Sequence, residues 1–174
     1  MGAARMVGVR ARLWLVRHGT TAWSEAGRLT GWTDVPLSPA GREQARALGR
    51  RLAARSFDGV WTSDLTRAAE TAGLAWGEAI PDRRLREVDF GALEGMRWEE
   101  LSAEDRERLI AFEGLPGGER VADLRRRVRG FLDALGGGRH LVFTHGGVIR
   151  LLLRERGCDR AIPPASVTVV SREV

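Results

Sequence analysis

Two short stretches of this chain place imidazoles where a buried strand should end. Leu13-Trp14-Leu15-Val16 runs into Arg17-His18-Gly19, and Leu141-Val142-Phe143-Thr144 runs into His145-Gly146-Gly147. Each apolar run has the composition of a strand covered on both faces. Setting a permanent cation and a titratable ring just past such a strand costs desolvation unless an anion or a reaction needs them there. In open α/β sheets, ligands bind beyond the carboxyl ends of the strands. Arg67, in the first turn of an expected helix, and Glu87, in a loop, complete the candidates. Expected helix starts after Ser63 and Thr144 would add free N–H groups and the positive end of a dipole. Two arginines able to grip oxygens bidentately point the same way. The anion this setting fits best is a phosphoryl group, with two imidazoles and a carboxylate to supply a nucleophile, an electrophilic group and a proton donor. The residue types do not say which histidine attacks.

Plainer readings exist for each residue. Arg17 alone would pair with an acid at the sheet edge, His18 alone would be a satisfied core histidine, and Glu87 and Asp89 would be ordinary loop carboxylates. His-Gly directly after an apolar strand, occurring twice, moves the balance. His18, His145 and Glu87 also have the ligand types of a zinc site, but flanking arginines repel a cation, so no metal or other cofactor is expected. His140 opens a strand and is read as non-catalytic. Arg125, Arg126, Arg127 and Arg129 are read as the solvated face of an amphipathic helix, and the tryptophans as core or rim.

The elements that must hold these groups follow from pattern. Residues 1–11 read as a leader before the first strand. Thr21 to Ala26 suits a helical turn, and residues 27–37 are too rich in turn formers to be regular. Ser38-Pro39 suits the N-cap and first position of a helix running to about Ala54, with Ala45, Leu48 and Leu52 inward. Asp58–Thr62 is a second strand, Ser63 an N-cap, and Asp64–Trp76 a helix burying Leu65, Ala68, Ala72 and Trp76. Ile80–Leu85 is a short extended piece, followed by a glycine-bracketed loop to Gly95. Helices are expected over Trp98–Phe112 and Val121–Leu135, a strand over His140–Thr144, a helix over Val148–Arg156 and a last strand over Val167–Val170. Alternating strands and helices predict a single α/β domain over residues 1–174. It would be a three-layer α/β/α sandwich around a mainly parallel sheet, with a small helical cap over about 97–116.

Bulk properties narrow the function. A chain of 174 residues with 43% hydrophobic content buries a real core. No apolar run is long enough to span a bilayer, no secretory h-region stands at the start, and one cysteine, Cys158, permits no internal disulfide. A cytoplasmic protein without membrane partners is the expectation. The net charge of +5 suggests nucleic acid at first sight. Yet every basic residue is Arg, with no Lys, Asn or Tyr, which reads as genome composition rather than a selected basic face. Neither a nucleic-acid partner nor a conclusion about temperature is drawn, and a homodimer is left open.

Taken together, the quoted blocks resemble the histidine phosphatase superfamily, the phosphoglycerate-mutase-like group, over nearly the whole chain from Leu13. Leu15-Val16-Arg17-His18-Gly19-Thr20-Thr21-Ala22-Trp23 is similar to its signature. Thr30-Gly31-Trp32-Thr33-Asp34-Val35-Pro36-Leu37-Ser38 resembles its second block and Ser63 to Ala72 its third. Leu85 to Gly95 and Thr144-His145-Gly146-Gly147 complete the series. The resemblance implies that His18 becomes a phosphohistidine and that Arg17, Arg67 and His145 hold the phosphoryl oxygens. It implies that Glu87 protonates the leaving oxygen, and that Ser24, Thr30, Gly31 and Gly146 line the substrate. Gly19 would let the backbone approach closely and bend, so that Arg17 and His18 converge. Ser24 stands where the family commonly has Asn, and Arg120 where similar phosphatases often have Ser. The modest cap and short C-terminal part are most similar to small phosphatases such as the α-ribazole-phosphate phosphatases. A phosphomonoester hydrolase is therefore expected, acting on α-ribazole 5′-phosphate or on a broad set of small-molecule phosphates. A cofactor-dependent phosphoglycerate mutase is the alternative, kept open by Thr30-Gly31-Trp32.

Overall fold

The computed structural model describes residues 10–111, 113, 115 and 117–173. Strand β1 (Arg10–Arg17) leads through a one-turn helix α1 (Ala22–Glu25) to α2 (Pro39–Leu52), then β2 (Gly59–Thr62) and α3 (Thr66–Ala75). After the two-residue strand β3 (Ile80–Pro81) come three 3-10 turns at Arg83–Leu85, Gly91–Leu93 and Trp98–Glu100. Helices α4 (Ala103–Ala111) and α5 (Val121–Asp133), strand β4 (Gly138–Thr144), α6 (Gly146–Arg154) and β5 (Val167–Glu173) complete the chain. The sheet order is β3-β2-β4-β1-β5. All pairings are parallel except β5, which runs antiparallel along β1.

Side chains alternate across a strand, and the two cores show it. Leu13, Leu15 and Val142 face α5 and α6, where Leu124, Val128, Phe131, Ile149 and Leu152 cover them. Val16, Leu141 and Phe143 face the other way, onto Leu48, Leu52, Ala72 and Ala75 of α2 and α3. That is the expected three-layer sandwich. A satellite cluster of Leu93, Leu101 and Leu115, joined by Leu29, Phe90, Met96 and Leu109, seats the cap. Among the described residues no helix is long and apolar enough to cross a membrane.

Several expected boundaries shift for physical reasons. The strand starts at Arg10 rather than after residue 11, because Ala11 is fully buried opposite Gly138 and Arg172; the remainder of the expected leader lies outside the described residues. The expected helix over Trp98–Phe112 is split. Leu101 turns inward, and the Ser102 hydroxyl accepts the Asp105 N–H at 3.0 Å, starting α4 afresh; Phe112 lies outside the described residues. Helix α3 begins at Thr66, not Asp64, because Ser63 accepts the N–H of Leu65 and so closes a turn before the helix. Trp76 is its half-buried C-cap, packed edge-on against Phe57. Within Ile80–Leu85 only β3 is extended; Asp82 then caps a 3-10 turn.

Candidate active site

The two strands that carry the histidines are neighbours, and Arg17 of β1 stands level with Thr144 of β4. His18 keeps one further ladder bond, its N–H donating to Thr144 O at 3.0 Å. Its ring then meets that of His145 edge-on, with centroids 5.1 Å apart. A carbonyl only accepts and a guanidinium only donates, so the two neighbours of the His18 ring fix its tautomer. Nδ1 lies 2.6 Å from Gly19 O and carries the proton. Nε2 accepts from Arg67 Nε at 3.3 Å and is therefore bare. Burial first, then the Arg67 charge, and least the Arg17 charge bring the His18 pKa down to about 3, opposed by the hydrogen bond to the Gly19 carbonyl. The ring is neutral at physiological pH. His145 is fully buried, and neither ring nitrogen has a hydrogen-bond partner among the described residues. Burial and Arg67 hold its pKa well below the ordinary histidine value.

Arg67 is completely buried, an expensive position for a cation unless carbonyls receive it. It donates from Nη2 to Gly31 O at 2.6 Å and from Nη1 to Thr33 O at 3.2 Å. Those carbonyls are held in turn by Glu94, whose carboxylate takes the N–H groups of Trp32 and Thr33, both at 2.7 Å. Arg17 donates to Ile162 O, leaving its Nε buried and without a partner among the described residues. Glu87 is buried as well. Its carboxylate accepts the N–H of Gly147 at 3.0 and 3.1 Å and that of Val88 at 2.9 Å.

A cavity of about 680 Å³ opens over these groups. Arg17, His18, Ser24, Thr30, Glu87 and Gly146 line it together with the apolar Leu29, Val88, Phe90, Trp98, Leu109 and Ile162 and the charged Arg28, Glu113, Arg150, Arg154 and Asp159. Gly31, expected against the substrate, is instead behind the wall. A Cβ there would lie 2.5 Å from Val88 O, and its carbonyl holds Arg67. Arg67 and His145 are fully buried and stand directly against the His18 ring.

Other residues singled out in the sequence have partners of their own. Ser24 lines the cavity, but its hydroxyl donates to Thr21 O at 3.0 Å and accepts the Thr21 N–H at 2.8 Å, as half of the α1 capping box. The bare face of Gly19 is turned to α2, where an added Cβ would sit 2.5 Å from Gly41 O; it gives close packing of backbone on backbone rather than an approach to phosphate. Arg120 pairs with Asp123 on the surface, away from the cavity. Both expected anion-binding helix starts are taken by the protein's own carboxylates. Asp34 receives the N–H and hydroxyl of Thr66 at 2.8 and 2.6 Å, and Glu87 receives Gly147. Arg127 is no solvated face: it reaches from α5 to the backbone around Glu87. His18, His145 and Glu87 gather without forming a metal cage, since among the described residues no group of His, Cys, Asp and Glu is placed to hold an ion.

Sequence reasoning passed over Glu94, Arg28, Trp32 and Arg127. Glu94 anchors the loop behind Arg67, Arg28 lines the cavity, and Trp32 Nε1 donates to Glu87 O at 2.8 Å. Only the Trp32 indole offered a signal, as a polar donor inside a glycine-rich loop.

The geometry is that of a cationic pocket with a bare imidazole nitrogen at its base and a carboxylate on its wall, suited to phosphoryl transfer. Comparison with known proteins agrees. A 2,3-bisphosphoglycerate-dependent phosphoglycerate mutase 2 of Gloeobacter violaceus is 37% identical, over 83% of this chain and 75% of its own. Phosphoglycerate mutase-like protein 4 of Arabidopsis thaliana is 37% identical, over 89% and 73%. The crystal structure of a phosphoglycerate mutase from Thermus thermophilus superposes with a TM-score of 0.85 at 45% identity, covering 91% of this chain and 92% of that one. The description "histidine phosphatase superfamily (branch 1)" matches residues 13–172, and the chain belongs to that family.

Proposed function

We propose that the protein hydrolyses phosphomonoesters whose alcohol or phenol part is bulky and apolar, through a phosphohistidine at His18. In the first step the bare Nε2 of His18 attacks phosphorus. The N–P bond forms as the ester P–O bond breaks, and Glu87 gives its proton to the departing oxygen. Water then attacks the phosphohistidine, Glu87 takes a proton from it, the N–P bond breaks and inorganic phosphate leaves. Arg17, Arg67 and His145 would hold the three non-bridging oxygens, giving the Arg17 Nε and the His145 ring the bonds they lack among the described residues.

The apolar side chains of the cavity lining carry this reading. Leu29, Val88, Phe90, Trp98, Leu109 and Ile162 give a cavity much larger than a phosphate a broad apolar share of its lining, beside the charged Arg28, Glu113, Arg150, Arg154 and Asp159, and apolar lining of this kind takes apolar groups. A second reading, phosphoglycerate mutase, is favoured by Arg28, a cation in the same lining that suits a carboxylate, and by the names of the relatives. Phosphate release should be compared for aryl phosphates, α-ribazole 5′-phosphate and 3-phosphoglycerate, the last with and without 2,3-bisphosphoglycerate. Faster release from the first two supports hydrolysis; isomerisation outpacing phosphate release refutes it.

A further inference from the structure

Glu87 sits where the chain has little regular structure to hold it. The 3-10 turn ends at Leu85, and residues 86–90 belong to neither strand nor helix. Something else must fix the position of a carboxylate that has to meet a leaving oxygen, since an error of about 1 Å costs on the order of a hundred-fold in rate.

We infer that Arg127, oriented by Glu119, is the positioning residue for Glu87. Its Nη1 donates to Arg84 O at 2.8 Å and to Arg86 O at 2.6 Å, and its Nη2 donates to Glu87 O at 2.8 Å. Glu119 grips the same guanidinium at 2.7 and 2.8 Å. Both side chains are largely withdrawn from water, 15% and 10% exposed, whereas Arg125, Arg126 and Arg129 on the same helix are 45%, 73% and 62% exposed. The planar fork makes bonds to three carbonyls and a carboxylate that a lysine cannot reproduce. Glu119 also binds the far side of the loop, its N–H donating to Asp89 O at 2.9 Å. Glu87 is thus held from behind by Arg127 and Trp32, and from in front by Gly147. A purely structural ion pair needs no such set of bonds along the backbone of Arg84, Arg86 and Glu87, the segment that carries the acid.

This inference rests on the reading of Glu87 as the proton donor, so the experiment begins there. Glu87→Gln, Arg127→Met, Arg127→Lys and Glu119→Gln are compared with wild type on an alkyl phosphate and on p-nitrophenyl phosphate, whose leaving group needs no proton. Thermal melts accompany each assay. Glu87→Gln should lose about a hundred-fold or more on the alkyl ester and far less on the nitrophenyl ester. Arg127→Met and Arg127→Lys should show the same selective loss, about ten- to a hundred-fold, and Glu119→Gln a smaller one. Millimolar methylguanidinium should restore part of the alkyl-ester rate to Arg127→Met alone. A selective loss in Glu87→Gln with equal or no losses in the Arg127 variants overturns the positioning role. Equal losses in Glu87→Gln overturn the proton-donor reading itself and this inference with it. If Arg127→Met does not fold, Arg127→Lys and Glu119→Gln decide by the same ratio.

Discussion

Gly41→Ala, a change that touches no substrate, should disable the site through the turn after β1. Gly41 and the Gly19-Thr20 backbone meet without side chains between them. A Cβ on Gly41 would lie 2.1 Å from Thr20 O and 2.9 Å from Thr20 N, all of it backbone that no rotamer change can move. Ordinary carbon contacts begin near roughly 3.5 Å, so the first turn of α2 and the turn carrying His18 must separate by roughly 1 Å. Overpacking of this kind costs about 1–3 kcal/mol, a fall in Tm of about 2–12 °C for a domain of this size. The turn also carries the His18 ring, aligned between Gly19 O and Arg67, and a displacement of that size costs about a hundred-fold in kcat. Gly73→Ala is the matched control. It lies on an exposed face of α3 with nothing within 4 Å of an added Cβ, and should stabilise by up to about 1 kcal/mol with kcat unchanged. Steady-state hydrolysis of p-nitrophenyl phosphate and thermal melts on both variants suffice. Wild-type kcat in a destabilised Gly41→Ala would refute the argument that this backbone contact sets the position of His18.

Stability should fall with acid well before the carboxylates titrate. His18 stays neutral in the folded protein down to about 3, from an ordinary value of 6.5, so between those limits the unfolded chain binds a proton the folded one refuses. The contribution is present above about 6.5 and is lost as pH falls, by about 2 kcal/mol between pH 7 and 5. His145, shifted the same way, adds to it. Urea melts at the two pH values should show this loss, and His18→Gln/His145→Gln should abolish most of it; an unchanged slope refutes the assignment. Ser24→Ala removes one half of the α1 capping box and should cost about 1 kcal/mol of stability with little change in kcat. A large kcat loss without destabilisation would make the hydroxyl a substrate contact instead.

The parts of this site that break a local rule are the ones legible in the sequence. An Arg-His-Gly after a doubly covered strand is costly without a purpose, and His-Gly recurs at the end of the adjacent strand. Helix α2 is legible from Ser38-Pro39 to Leu52 because cap, proline and period agree. Hidden from the sequence is whatever depends on a partner far along the chain. Asp34 and Glu87 reach helix starts 32 and 60 residues away, so neither terminus can be recognised as occupied. Arg127 sits on the polar stripe of an amphipathic helix, and periodicity does not tell a stripe facing water from one facing a loop. By apolar spacing Ser102 reads as an interior helix residue, although its hydroxyl makes it a better start, a case of capping winning over period.

Strand β4 lies between β2 and β1, which has a consequence for how this protein is made. The acceptor for the His18 N–H is Thr144 O, so the first histidine has no fixed place until the chain has been synthesised past the second. Pairing across so long a loop is a late, entropically costly event in folding. A nascent chain emerging from the ribosome can build the locally paired α2 and α3, but with Arg17 and His18 at the end of an unpaired strand it has no pocket. The two-histidine pocket thus depends on the docking of β4 and α6 against β1.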